Sequence, residues 1–176
     1  MVEIIDDFCP KEYFENLQEI IMEPASRFPW FYHNRINGEL YDDSKDVFQF
    51  VHLLYPCAVG TTQDKYMKCL QPVINSMGAH AILRVKANCI PRTEEIVEHG
   101  YHTDFVENNE GITTAILYIN TNNGYTIFKE GTMVASKANR LVIFPCNYLH
   151  AGTSCTDQNI RVLINFNFVK LPTPFT

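Results

Sequence analysis

The stretch His99-Gly-Tyr-His102-Thr-Asp104 brings two histidines and an aspartate close together in the chain. On an extended strand, residues two apart point to the same side. His102 and Asp104 are therefore expected to present an imidazole nitrogen and a carboxylate oxygen to one cation. Two donors leave most of a coordination sphere open, so a third ligand must come from another strand. His150 is the candidate, in the turn Cys146-Asn-Tyr-Leu-His150-Ala-Gly152 after the apolar run Arg140-Leu-Val-Ile-Phe-Pro145. Two imidazoles and one carboxylate on one face suit divalent iron with positions left for a bidentate ligand and O2. An H-x-D pair with a distant histidine arises often by chance, so it needs independent support.

That support follows in Asn159-Ile-Arg161-Val-Leu-Ile-Asn-Phe-Asn-Phe168. Strand alternation gives one face Val162, Ile164, Phe166 and Phe168, and the other Arg161, Leu163, Asn165 and Asn167. An apolar face toward helices and a partly polar face toward a cavity is the pattern of a small barrel wall. Arg161 on the cavity face is a costly buried charge without an anion, and a dicarboxylate offers its fork a planar partner. In Ile112–Asn120 the same alternation groups Thr114, Ile116, Tyr118 and Asn120, so Tyr118 can offer its hydroxyl to that carboxylate. Each residue alone also fits a plainer role, an arginine on an edge strand and a core tyrosine. Their joint occurrence with the triad favours the cavity.

The elements that must position these residues are legible in outline. Glu3–Phe8 reads as a short strand. Pro10 stands at a first helical position, followed by Phe14, Leu17 and Ile21 at helical spacing until Pro24. A second helix is expected from Thr61 or Thr62, with Tyr66, Leu70, Val73 and Met77 on one face, Pro72 kinking or dividing it, and Gly78 as its stop. Between them Ser26–Tyr55 is aromatic and irregular, and is read as core rather than as a dimer contact. Ala79–Asn88, Ile112–Asn120, Tyr125–Lys129, Thr132–Ala135, Arg140–Pro145 and Ile160–Val169 are β-rich runs separated by turns. Strands at this spacing without intervening helices predict an antiparallel sandwich or barrel. The expected fold is α+β and mainly β: a helical support over about residues 1–78 and a β core over about 79–170, in a single domain spanning 1–176.

Composition sets the bounds. The chain has 176 residues, 46% hydrophobic and 19% charged, which suits a folded chain of about one domain. Its formal charge of −6 argues against an extended basic track for nucleic acid. No apolar run reaches the length that spans a bilayer, and the opening MVEIIDDFCP carries aspartates where an export signal needs positive charge. The six cysteines form no C-x-x-C pair and are read as reduced thiols, so a cytoplasmic setting is expected.

The order His102-x-Asp104, Tyr118-Ile-Asn120, Gly124-Tyr-Thr-Ile-Phe128, Arg140-Leu-Val-Ile-Phe144, His150 and Arg161 resembles the prolyl-hydroxylase-like branch of the 2-oxoglutarate and Fe(II)-dependent oxygenases. The resemblance covers about Ala79 to Val169. It implies a double-stranded β-helix, or jelly roll, with His102, Asp104 and His150 as iron ligands. It also implies that Arg161 pairs with the distal carboxylate of 2-oxoglutarate, assisted by Tyr118. The activity implied is oxidative decarboxylation of 2-oxoglutarate to succinate and CO2, coupled to hydroxylation of a C–H bond, with ascorbate a possible reductant.

The chain departs from that pattern in two places. Many relatives carry a tyrosine near the iron-bound end of the cosubstrate, where this chain has Asn88. Arg84 and Lys86 share the face of Asn88 by alternation, and either is a candidate to meet an anionic substrate instead. A Gly-Gly pair of the relatives is replaced by Asn123-Gly124, which still serves a turn.

The expected partners are O2, 2-oxoglutarate and a peptide or small polar substrate; a peptidyl proline is suggested by analogy alone. Glu94, Glu95, Glu98, Glu107 and Glu110 hint at a neutral or basic partner, although a solvated acidic loop is the plainer reading. Nucleic-acid dealkylation is disfavoured, because the enzymes that perform it resemble a pattern with a second arginine where this chain has Asn167. Two other classes fit the residues: a zinc-dependent isomerase or hydrolase using the same three ligands, and a non-catalytic small-ligand module on a jelly roll. A cysteine nucleophile at Cys146 beside His150 has nothing to orient it.

Overall fold

The structure is a computed structural model that describes residues 1–34, 36, 48–56, 64–104 and 111–170. Along these residues run β1 (Glu3–Ile5), α1 (Lys11–Met22), a short 3-10 turn (Pro24–Ser26), β2 (Phe31–His33), β3 (Gln49–Tyr55) and α2 (Met67–Ser76). They are followed by β4 (Ala79–Pro91), β5 (Ile112–Tyr118), β6 (Tyr125–Phe128), β7 (Met133–Ala135), β8 (Leu141–Pro145), β9 (His150–Gly152) and β10 (Ile160–Lys170).

Helix α1 forms where Phe14, Leu17 and Ile21 make one buried stripe. Pro10 is the residue just before it, and its carbonyl accepts the N–H of Phe14. The helix ends at Glu23, whose extended backbone is the conformation favoured before a proline. Helix α2 buries Met67, Leu70, Val73 and Ile74. It begins at Met67, later than expected, because the Asp64 carboxylate and carbonyl take the N–H groups of Tyr66 and Met67 in a turn. Thr61 and Thr62 lie outside the described residues. Pro72 does not divide this helix, which runs on to Ser76. Gly78, at φ 67°, closes it in the left-handed conformation that glycine adopts without steric cost.

The strands build two antiparallel sheets, ordered β1-β8-β5-β10-β4-β3-β2 and β7-β6-β9. Alternation along β4 and β10 sets their two faces. Val85, Ala87 and Cys89, with Val162, Ile164, Phe166 and Phe168, pack in one core with the buried residues of α1 and α2. The opposite face carries Lys86, Asn88 and Ile90 from β4, and Arg161, Leu163 and Asn165 from β10, around an internal cavity. A second core joins Ile116, Tyr118, Val142 and Phe144 of the large sheet to Phe128 and Val134 of the small one. This is the mainly β jelly roll with helices against its outer face.

Two expectations are corrected. The stretch Ser26–Tyr55 is not wholly irregular: β2 pairs with β3, and β3 pairs with β4 from Phe50↔Cys89 onward. Local composition hid these strands because their partners lie far along the chain. Phe28 is buried, and Trp30, Phe50 and Tyr55 pack on the core, whereas Phe31 and Tyr32 are exposed. The second correction concerns the H-x-D segment, which is not in a continuous strand. His102 makes an isolated antiparallel bridge with His150, and His150 opens β9 rather than standing in a turn. No disulfide links the described cysteines.

Candidate metal and dicarboxylate site

The backbones of His102 and His150 exchange both N–H···O hydrogen bonds, at 2.9 and 3.1 Å. Directly paired residues carry their side chains on one face, and the two rings lie 4.5 Å apart between centroids. The N–H of Asp104 bonds to the carbonyl of Cys146, which ties the third residue to the same crossing. One ligand atom each from His102, Asp104 and His150 lies within 4.8 Å of the others.

Tautomers follow from the outer hydrogen bonds. His102 Nδ1 lies 3.2 Å from the Gly100 carbonyl, and His150 Nδ1 lies 2.9 Å from that of Tyr148. A carbonyl only accepts, so each Nδ1 holds the proton and each Nε2 keeps the lone pair a metal needs. Burial, and then the neighbouring His150, hold His102 neutral by pushing its pKa down to about 4, although Asp104 pulls the other way. Burial pushes Asp104 up, but Arg84 and His150 outweigh it, and the carboxylate sits at about 2. The site thus offers a neutral imidazole at His102, an ionised acid at Asp104, and the second ring of His150 with its Nδ1 turned to a carbonyl.

Asp104 is held on both oxygens. Oδ1 accepts from Arg84 Nη2 at 2.6 Å and Asn165 Nδ2 at 3.3 Å; Oδ2 accepts from Thr114 Oγ1 at 2.6 Å and Asn167 Nδ2 at 3.0 Å. Arg84 Nε also donates to Asn167. Asn167 therefore supports the carboxylate.

Arg161 is wholly buried and lines the same cavity. Its Nε donates to Ser136 Oγ at 2.8 Å, and its Nη1 and Nη2 reach the Thr153 carbonyl and Thr126 Oγ1, both at 3.3 Å. None of these partners is charged, and no described carboxylate pairs with it. Burial disfavours its charge, yet a guanidinium stays protonated in proteins. Tyr118 is also wholly buried, with its ring 5.5 Å from the guanidinium carbon. Its hydroxyl donates to Thr126 Oγ1 at 2.8 Å. Thr126 thus accepts from both Tyr118 and Arg161, which leaves its own proton to donate into the cavity it lines. Asn88 lines that cavity as well, and its amide touches the carbonyl of Lys86 at 3.3 Å.

Sequence reasoning missed Thr126 and His99. Thr126 was visible only as a polar residue between the apolar neighbours of β6. His99 is 5% exposed, lines the cavity, and neither ring nitrogen has a hydrogen-bond partner among the described residues. A Cβ on Gly152 would lie 3.5 Å from Arg161 Nη1 and 3.9 Å from His99 Nδ1, so both groups flank that glycine. Burial and Arg161 keep His99 neutral by pushing it down to about 3. Of the acidic cluster, Glu94, Glu95 and Glu98 are exposed, and Glu107 and Glu110 lie outside the described residues. Cys146 is buried with its thiol pKa raised by that burial, which makes it a poor nucleophile.

No family model and no curated protein matches the chain in sequence. Solved structures match its fold. A prolyl hydroxylase of Trichoplax adhaerens, in complex with a hypoxia-inducible-factor peptide fragment, aligns at TM-score 0.66 and 12% identity, covering 96% of this chain and 83% of its own. A 2OG-Fe(II) oxygenase family oxidoreductase of Burkholderia pseudomallei aligns at TM-score 0.68 and 12% identity, covering 96% and 84%. The α-ketoglutarate-dependent epimerase SnoN, bound to Fe3+, α-ketoglutarate and nogalamycin RO, aligns at TM-score 0.65 and 9% identity, covering 96% and 78%. The chain has the prolyl-hydroxylase-like jelly-roll fold of the 2-oxoglutarate and Fe(II) oxygenases.

Proposed function

We propose that this protein is an Fe(II)- and 2-oxoglutarate-dependent oxygenase. The observation that carries the reading is Arg161: a fully buried guanidinium without an acid partner among the described residues, in the same cavity as two imidazoles and a carboxylate within 4.8 Å of each other. Such a cation is expensive to bury unless an anion completes it. A dicarboxylate long enough to reach from the metal ligands to Arg161 does so.

His102, Asp104 and His150 would hold the metal, which supplies O2 activation when bound. The donor set fits: both rings turn Nδ1 to a carbonyl, His102 is held neutral, and Asp104 is ionised. The 3.3 Å contact from Asn165 is at the long end for a hydrogen bond. Of the four donors on Asp104 it yields most cheaply to a cation. Arg161 and the Thr126 hydroxyl bind the distal carboxylate of 2-oxoglutarate. Tyr118 acts through Thr126, fixing the direction of that hydroxyl. Asn88 meets the cosubstrate nearer the metal. The buried wall of Ile90, Ile116 and Leu163 keeps water from the reacting end.

The reaction is hydroxylation of a C–H bond with release of succinate and CO2, on a peptide, prolyl-like, or on a small polar molecule. The structural relatives span both kinds of partner, a peptide in one and nogalamycin RO in another. Zinc in the same ligands gives Arg161 no task. The test is succinate formation from 2-oxoglutarate with added Fe(II) and O2. It is expected from the wild type and lost in Asp104→Ala, which deletes the anionic ligand. Succinate release at the wild-type rate in that variant overturns the assignment.

A further inference from the structure

Arg84 and Lys86 share one face of β4, and the structure separates what they do. Arg84 is engaged by Asp104 and Asn167. Lys86 lines the cavity of the triad and Arg161, and its ammonium has neither a hydrogen bond nor an ion pair among the described residues. Burial, and then Arg84, push it down to about 8, with Asp104 offsetting part of this. The group is still mainly charged at neutral pH.

Asp104 is the only carboxylate among the described residues that line the cavity. Its lone pairs are already shared among Arg84, Thr114, Asn165 and Asn167. The exposed Glu94, Glu95 and Glu98 are not among the residues that line the cavity. With a divalent metal bound, the metal together with Arg84, Lys86 and Arg161 outweighs Asp104 and a bound dicarboxylate. Excess positive charge in surroundings of low dielectric favours a further anion.

We propose that the primary substrate of this site carries an anionic group, a carboxylate or a phosphate, that pairs with the Lys86 ammonium. The inference rests on the oxygenase reading above, which assigns Arg161 and the metal to the cosubstrate. It replaces the hint of a neutral or basic partner drawn from the acidic loop.

The experiment follows the visible band of the anaerobic complex of protein, Fe(II) and 2-oxoglutarate as N-acetylglycine, N-acetylglycinamide or methyl phosphate is added. At least one of the two anions is expected to shift the band, and the amide at equal concentration is not. A response to N-acetylglycine alone assigns a carboxylate, and a response to methyl phosphate alone assigns a phosphate. Removing one member of a close charge pair should raise the half-saturating concentration about tenfold or more in Lys86→Met, and less than about threefold in Lys86→Arg. The band formed before any addition checks that each variant is folded and loaded. Equal shifts with acid and amide, or no shift with any probe, overturn the proposal. So does a Lys86→Met variant that needs about tenfold more 2-oxoglutarate while its anion response is unchanged, because Lys86 then serves the cosubstrate. Absence of the band in the wild type overturns the oxygenase reading and this proposal with it, whereas a normal band without an anion response overturns this proposal alone.

Discussion

At the scale of single residues, cosubstrate binding is proposed to turn on a buried cation and the hydroxyl beside it. Removing the charged partner of a buried carboxylate costs about 2–5 kcal/mol, so Arg161→Ala should raise the 2-oxoglutarate requirement about 30-fold or more. Thr126→Val removes one neutral donor, worth about 1 kcal/mol, and should raise it roughly fivefold. Tyr118→Phe leaves Thr126 its proton and should change it less than either. Titration of 2-oxoglutarate against succinate formation gives this order directly, and a Tyr118→Phe defect as large as that of Arg161→Ala would reverse the roles. The triad and Arg161 were legible because each is a residue type with few structural uses at its place in the strand pattern. His99 and Thr126 were not, since an ordinary core histidine and a strand threonine look the same in sequence. Their meaning comes from a cavity that only the fold creates. The tie between Arg84 and Asp104 was hidden for the same reason.

At the scale of elements, alternation carried most of the information. In β10 the even positions from Val162 to Phe168 pack on the helices and the odd positions from Arg161 to Asn165 face the cavity, as the sequence pattern implies. What alternation could not reveal was partner choice, hence the unforeseen β2 and β3, and the bridge that brings the His102 and His150 rings to one face. The turn before β6 is more constrained than its Asn-Gly sequence suggests. A Cβ on Gly124 would lie 2.6 Å from the Ser154 carbonyl and 2.7 Å from Arg161 Cδ. The backbone cannot easily give way, and overpacking of this kind costs about 1–3 kcal/mol. Gly124→Ala should lower the melting temperature and, by displacing Arg161, raise the 2-oxoglutarate requirement. Melting curves beside cosubstrate titrations check both, and an unchanged requirement would mean that Arg161 is not set by this turn.

At the scale of the whole molecule, burying a neutral imidazole ties stability to pH. His99 falls from an ordinary 6.5 to about 3 in the folded chain. Below pH 6.5 the unfolded chain takes up a proton at this position and the folded chain does not, so stability falls as pH falls from about 6.5 toward 3. One such proton is worth on the order of 1–2 kcal/mol between pH 6.5 and 5. Denaturant unfolding of metal-free protein across that range should therefore show a shallower decline in His99→Leu than in the wild type. Equal slopes would mean that His99 protonates in the folded state. The helix-plus-sheet outline of the molecule was legible from hydrophobic periodicity. Its sheet order was not, because β1 pairs with β8 across most of the chain length. Every function proposed for the cavity depends on iron and a 2-oxo acid meeting inside it. The most direct measurement is anaerobic addition of 2-oxoglutarate to the Fe(II)-loaded protein. A weak visible charge-transfer band that is lost in His150→Ala is the result predicted here, and a wild type without that band, or a band equally strong in His150→Ala, contradicts it.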